Sequence, residues 1–427
     1  MAETQIPQSQ YAVQLVGPGQ LKLNPSKEVV RPGPYQILAK IECVGLCFSD
    51  LKLLKQFSQH ARKSEILGGL SREVLAEIPS YVPGDKATVP GHEVTCRIVA
   101  VGDKVQHHQV GERCLVQTDY RDLPTGGSNA AFGYNFEGAL QEYVLMDERV
   151  VLDPGSGERF LIPVPEDLSA SAVALVEPWA CVEDSYANVE RQGIKAGGRL
   201  LVVSDSGKPD PQQRKLPFAT EGRPAEVVAI SSAEVAGLPN EVFDDIIYYG
   251  ADRKTIEGLN DKLAPRGLMN IVLGGRKIGE NVSVGIGRVH YGMTRWVGTT
   301  GAEAADSYRH IPATGEVRPG DKILVIGAGG PMGQMHVIRS ICAGVADLTV
   351  VGTDMDDARL EALRRKAEPL ARTNRVGLRL VNTQKEPLRE KFSYFALMAP
   401  VGALVASAVR DSTEGCLINL FAGIPAP

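Results

Sequence analysis

Four side chains in the first half of the chain are of types that do chemistry when brought together. Cys47 lies in ECVGLCFSD, His92 and Glu93 in VPGHEV, and Glu177 in VEPWACV. Thiolate, imidazole and carboxylate are the donors that a catalytic Zn2+ takes, with one position left open to water or substrate. Such an ion polarises an alcohol oxygen and lowers its pKa near neutral pH, after which a hydride can leave the carbon. Singly these residues mean little. A lone cysteine is more often a small buried hydrophobe, and a lone histidine is more often structural.

A second set lies near the other end. KILVIGAGGPMGQMH, residues 322–336, reads as a strand, a glycine loop and the start of a helix. Gly327 permits the tight turn, Gly329 or Gly330 lets backbone approach a pyrophosphate, and Gly333 permits close helix–strand packing. Met332, inside the same loop, is a further candidate contact. The spacing is one residue longer than G-x-G-x-x-G, and a lone glycine loop is weak support. This one also precedes a second strand, LTVVGTD, which ends on Asp354. A carboxylate about 20 residues beyond the last glycine accepts from the ribose 2′-hydroxyl and repels a 2′-phosphate, favouring NAD over NADP. The alternative for Asp354 is a helix N-cap, a job Asp356 and Asp357 are equally placed to do.

These groups need elements to position them. To about residue 165 the chain reads as β-rich, with YAVQLV, QILAKIECVG, TCRIVAVG, RCLVQ and LQEYVLM as short strands. Residues 51–80 interrupt as a charged, helical insertion. Leu168 to Arg191 reads as a helix broken by Pro178. Beyond it, RLLVVS, AEVVAI, DDIIYYG and MNIVLGG are continuous apolar strands alternating with helix, the pattern of a parallel α/β sheet. IKAGGRLLVV, FDDIIYY and IVLGG are then echoed by VRPGDKILVI, FSYFALM and INLFAG, with a longer front end in the second copy. Two tandem Rossmann-like units follow from this. The first is degenerate, because LLVVSDSGKPDPQQRK offers one glycine and then prolines that block a helix start. The expected domains are 1–190, a β-rich catalytic domain; 191–312, the degenerate unit; and 313–427, the nucleotide-binding unit. The last ends just after a strand, INLFAGIPAP, where a Rossmann unit normally continues, so either a C-terminal truncation or the absence of the final elements is expected.

Bulk properties narrow the class. Of 427 residues, 43% are hydrophobic and 23% charged, ordinary for a globular protein with a core. The net charge of -5, with no basic tract, argues against a nucleic-acid or membrane-surface role. MAETQIPQSQ has neither a basic nor an apolar region of a signal peptide, and no apolar run is long enough to span a bilayer. Seven scattered cysteines make no disulfide framework, which points to a reducing cytoplasm. The expected partners are a small-molecule substrate and further copies of the chain, as a dimer or tetramer.

GLCFSD, the GHE triplet, EPWAC and a later glycine loop, in that order across essentially the whole chain, resemble the zinc-containing medium-chain dehydrogenases: alcohol, sorbitol and threonine dehydrogenases. The resemblance implies a GroES-like catalytic domain followed by Rossmann-type α/β units. It makes Cys47 and His92 zinc ligands, Glu93 a ligand as in the polyol branch, and Glu177 a ligand or a carboxylate bonded to the zinc water. Ser49 matches the hydroxyl that passes the substrate proton toward solvent, and Asp50 a carboxylate that orients the site. Where alcohol dehydrogenases continue the relay with a histidine, this chain has Lys52. Many relatives hold a structural zinc through four closely spaced cysteines. The corresponding segment here has only Cys114, so one catalytic zinc and no structural one is expected. That difference, with GYNFEGALQEYV, EPWACV, the GPMG loop and VHYGMTRWVGTTG, looks most like the L-sorbose-1-phosphate reductase branch.

The reading is therefore an NAD(P)-dependent zinc alcohol or polyol dehydrogenase acting on a polyol, sugar or sugar phosphate. A threonine-type amino-alcohol dehydrogenase and a non-catalytic scaffold stand as alternatives, the latter supported by the degenerate unit. A zinc-free quinone reductase lacks this ligand set. In the family the nucleotide unit follows the zinc domain directly, whereas here the degenerate copy occupies that place.

Overall fold

A computed structural model describes residues 6–213, 216–218 and 222–423. The chain divides into two compact units, Met1–Cys181 and Val182–Pro427.

In the first unit β1 (Ser9–Gly17) and β2 (Gln20–Glu28) form a hairpin. β3 (Gln36–Gly45) leads into α1 (Phe48–Gln56), and after a short α2 (Arg72–Ala76) come β4 (Glu93–Val101) and β5 (Arg113–Val116). A small hairpin, β6 (Asp119–Pro124) with β7 (Asn129–Ala131), precedes β8 (Tyr143–Asp147), α3 (Glu148–Val151) and β9 (Leu161–Pro163). Five strands make one antiparallel sheet, ordered β8-β3-β4-β5-β9. Alternate residues, among them Ile37, Ala39, Val94, Cys96, Ile98, Cys114, Val144 and Met146, fill a single core. The segment 51–80 is helical as expected, with two 3-10 turns between α1 and α2.

The region expected as one broken helix forms α4 (Ala170–Ala174) and α5 (Val176–Ala187). The break expected from Pro178 is present and falls at Leu175, because Pro178 has no N–H to give the Ala174 carbonyl four residues earlier. Pro178 sits in the first turn of α5, where a missing backbone N–H has no intrahelical partner to lose.

The second unit holds two parallel sheets. β10 (Arg199–Ser204), β11 (Glu226–Ser231), β12 (Phe243–Tyr249), α6 (Arg253–Lys262), β13 (Leu263–Val272), α7 (Ile286–Tyr291), β14 (Arg295–Thr299) and α8 (Ala304–Tyr308) build the first. β15 (Lys322–Ile326), α9 (Pro331–Cys342), β16 (Thr349–Asp354), α10 (Asp357–Asn374), β17 (Gly377–Asn382), β18 (Phe392–Leu397), α11 (Gly402–Arg410) and β19 (Ser412–Asn419) build the second. The strand orders are β11-β10-β12-β13-β14 and β17-β16-β15-β18-β19. In the first sheet Leu201, Val203, Ile246, Tyr248 and Met269 are buried on one face, and Leu200, Val202, Ile247 and Tyr249 on the other. Burial on both faces is why these strands read as unbroken apolar runs.

β10 lies between β11 and β12 as β15 lies between β16 and β18, so the echoed sequences occupy equivalent places. The longer front end of the second copy is α10 and β17. Between β10 and β11 the described residues form a 3-10 turn, Pro211–Gln213, and a bridge from Phe218 to Ile194, with no α-helix among them, whereas α9 follows β15. The prolines account for the difference, since none of the segment's helix-interior positions would tolerate them. Residues 214–215 of that loop, and the last four residues of the chain, lie outside the described set.

Candidate active site

Strand register builds the first cluster. Gly45 at the end of β3 pairs with Glu93 at the start of β4. Cys47, just past β3, and His92, just before β4, therefore arrive at one edge of the sheet. The ligand atoms of Cys47, His92 and Glu93 lie within 4.8 Å of one another. Two glycines make room. A Cβ on Gly45 would stand 2.1 Å from Glu93 Oε2, and Gly91 turns into β4 at φ 98°.

Asp50 ties the cluster together from the first turn of α1. Its Oδ2 accepts the Cys47 backbone N–H at 2.9 Å, and its Oδ1 faces both the Gly91 N–H at 3.3 Å and His92 Nδ1 at 3.2 Å. Burial opposes its ionisation, but the hydrogen bond and charge of His92 and the two backbone N–H groups outweigh this and hold Asp50 below the ordinary carboxylate value. Burial likewise disfavours a charged His92, yet hydrogen bonds and charge from Asp50 and Cys47 push its pKa up to about 10. With Nδ1 facing Asp50, Nε2 is the nitrogen left for a metal, an arrangement common to metal-binding histidines. Burial raises the Glu93 carboxyl. A thiolate, an imidazole and a carboxylate converging within ligand distance, two of the three side chains buried, fit Zn2+.

Glu177, in the first turn of α5, stands outside this group of three. Its Oε1 accepts from Thr118 Oγ1 at 3.5 Å, and burial, with Glu93 and Asp119 nearby, raises its pKa. Ser49 is half-buried on α1 and pairs with the hydroxyl of Tyr134. Tyr134 was not singled out in the sequence. Its ring is 1% exposed, 5.6 Å from that of His92 and 5.0 Å from that of His60. The available signal was GYNFEG, two aromatics, Tyr134 and Phe136, between two glycines.

The second cluster lies within the second unit. Gly327 adopts φ 83°, and its N–H and that of Ala328 both donate to the Thr353 carbonyl, at 2.9 and 2.8 Å. A Cβ on Gly333 would stand 2.1 Å from the Gly327 oxygen, so the start of α9 packs directly on the loop. Gly330 is the N-cap of α9 and Pro331 follows it. Met332 packs its side chain against the sheet's core. Asp354 ends β16, with Oδ2 accepting the Gly329 N–H at 3.0 Å and Oδ1 those of Met355 and Asp356. The cap of α10 is Asp356, which accepts from Ala358 and Arg359, so Asp354 is not used as a cap. At the equivalent place in the first sheet Gly207 has open space where its Cβ would be, and Asp205 is taken up by Tyr248, Ala251 and Arg276.

Residues 33–154 match the model of the alcohol dehydrogenase GroES-like domain. The chain is 26% identical over 322 residues to L-sorbose 1-phosphate reductase of Klebsiella pneumoniae, covering 64% of this chain and 70% of that one. Residues 33–154 thus carry the alcohol dehydrogenase GroES-like domain, and the chain is similar to alcohol and polyol dehydrogenases. Another such relative is (R,R)-butanediol dehydrogenase of Bacillus subtilis, 29% identical over 188 residues, 40% of this chain and 44% of that one. Among solved structures, alcohol dehydrogenase TADH from Thermus sp. ATN1 is 15% identical with a TM-score of 0.43, covering 96% of this chain and 76% of that chain. No helix among the described residues is long and apolar enough to cross a membrane.

Proposed function

We propose that this chain transfers a hydride between NAD(H) and the secondary alcohol or ketone of a polyol, sugar or sugar phosphate. The convergence of Cys47, His92 and Glu93 within 4.8 Å carries the reading. These three would hold a zinc ion, with Glu177 as a fourth ligand or as the carboxylate bonded to its water. When bound, the ion supplies Lewis acidity to the substrate oxygen. Asp50 fixes the His92 ring and the Cys47 turn together. Ser49 would relay the proton of the substrate hydroxyl toward solvent, accepting it while handing on its own hydroxyl proton, and Tyr134 orients the Ser49 hydroxyl for that relay. Gly327, Gly329, Gly330, Met332 and Gly333 form the dinucleotide loop, and Asp354 meets the ribose diol. We assign the loop to a domain of residues 313–427, the catalytic groups to 1–190, and a non-binding role to 191–312.

The test is a screen of polyols, sugar phosphates and threonine with NAD and NADP, on zinc-loaded protein. Activity on a polyol or its phosphate with NAD is expected. Ser49→Ala should lower the rate about 100-fold or more while leaving NADH binding in place. Equal loss of NADH binding would contradict the role given to Ser49.

A further inference from the structure

The helical insertion brings a second group of side chains beside the first cluster, and the activity above does not use it. Tyr134 is the common wall. One neighbour of its ring is His92, at 5.6 Å; others are His60 at 5.0 Å and the Arg62 guanidinium, 5.5 Å from the ring centroid. His92 and Arg62 are thus separated by the span of one aromatic side chain. Lys52, one turn along α1 from the Ser49 hydroxyl, adds a second cation. Its ammonium lies 5.9 Å from the Phe48 ring and makes no ion pair among the described residues. Burial of His60, and then the charges of Arg62 and Lys52, hold its pKa down to about 4.

Asp50, paired with His92, borders Tyr134 on the side of the first cluster, and Asp119 is the carboxylate that pairs with Arg62. Asp119 meets Arg62 through both terminal nitrogens, at 2.8 and 3.3 Å. It neutralises one of the two cations and fixes the guanidinium in place, leaving the Nε–H and the outer N–H groups free to donate. The excess positive charge is that of Lys52, and all three side chains are half-buried, so it is partly shielded from water. A half-buried cation excess with a neutral imidazole donor, one ring away from a reaction centre, suits a phosphate monoester. Such a group carries nearly two negative charges at neutral pH and accepts through three oxygens.

We propose that Lys52, His60 and Arg62 form a subsite for the phosphate of a phosphorylated polyol whose reacting carbon lies at the Cys47–His92–Glu93 centre. This rests on the dehydrogenase reading above and narrows its substrate class to polyol phosphates. It also gives Lys52 a purpose in the place where alcohol dehydrogenases continue a histidine relay.

Two measurements on the full zinc-loaded chain test it. The first is calorimetric binding of inorganic phosphate to the wild type, Lys52→Gln and Arg62→Gln. Binding by the wild type that weakens about 10- to 100-fold in each variant is expected, the scale of a hydrogen bond to a charged group. No binding, or binding equal in all three, overturns the subsite whatever the enzyme's activity. The second is the ratio of kcat/KM for a polyol phosphate to that for the same polyol. The wild type should favour the phosphate, and Lys52→Gln, which breaks no ion pair, should cut the ratio about tenfold or more. An unchanged ratio overturns the subsite. So does a loss of NADP binding in the variants with an unchanged ratio, which assigns the cations to a cofactor phosphate. Phosphate binding that depends on Lys52 and Arg62, in a protein that oxidises no polyol, supports the subsite and overturns the proposed activity.

Discussion

Gly45 shows how much of the candidate centre depends on a missing side chain. Its Cβ would stand 2.1 Å from Glu93 Oε2 and 3.0 Å from Glu93 Cβ, so even alanine must push the carboxylate away from Cys47 and His92. Gly45→Ala should leave the sheet folded and weaken zinc binding by about 10-fold or more, the scale seen when metal-ligand orientation is disturbed. Unchanged zinc affinity would show that Glu93 does not hold the metal. Cys47, His92, Glu93, Ser49 and Asp50 were legible because their types are rare in combination and sit in short motifs. That Asp50 reaches Cys47, Gly91 and His92 together was not legible, since it requires the β3–β4 register that aligns Gly45 with Glu93. Tyr134, His60 and Arg62 escaped notice for the same reason, being joined to Lys52 and the first cluster only through the fold.

At the scale of elements, the repeated apolar runs declared two parallel sheets, because strands buried on both faces leave no polar alternation to confuse the pattern. The glycine loop carried its own geometry too. Gly333 meets the Gly327 oxygen at 2.1 Å through any added Cβ, while Gly207 meets nothing. Gly333→Val should therefore abolish NADH fluorescence enhancement and lower the melting temperature. Gly207→Val should leave NADH binding intact, even with the strain of its φ of 95°. Loss of NADH binding in both variants would contradict the assignment of the nucleotide to the second sheet. The proline inside an apolar periodicity correctly marked a break, while its exact place at Leu175 follows from Pro178 lying in the first turn of the second helix and acting four residues back, on Ala174.

For the molecule as a whole, stability is coupled to pH through a buried histidine. His336 on α9 is fully buried, with Nδ1 paired to the Tyr186 hydroxyl at 2.7 Å. Burial, and then the charge of Arg339, push its pKa down to about 3. An unfolded histidine protonates near 6.5, so stability present above that pH is lost as pH falls from about 6.5 toward 3. The unfolding free energy of the wild type minus that of His336→Gln should thus shrink by roughly 2–3 kcal/mol between pH 7 and pH 4. A difference independent of pH would contradict a neutral, buried imidazole. Cys47, His92 and Glu93 are proposed to hold one catalytic zinc, and elemental analysis of protein purified with zinc present tests this most directly. About one zinc per chain is predicted for the wild type and close to none for Cys47→Ser, since a hydroxyl is a poor substitute for a thiolate. A metal-free wild type, two zinc ions per chain, or full zinc retention in Cys47→Ser would contradict it.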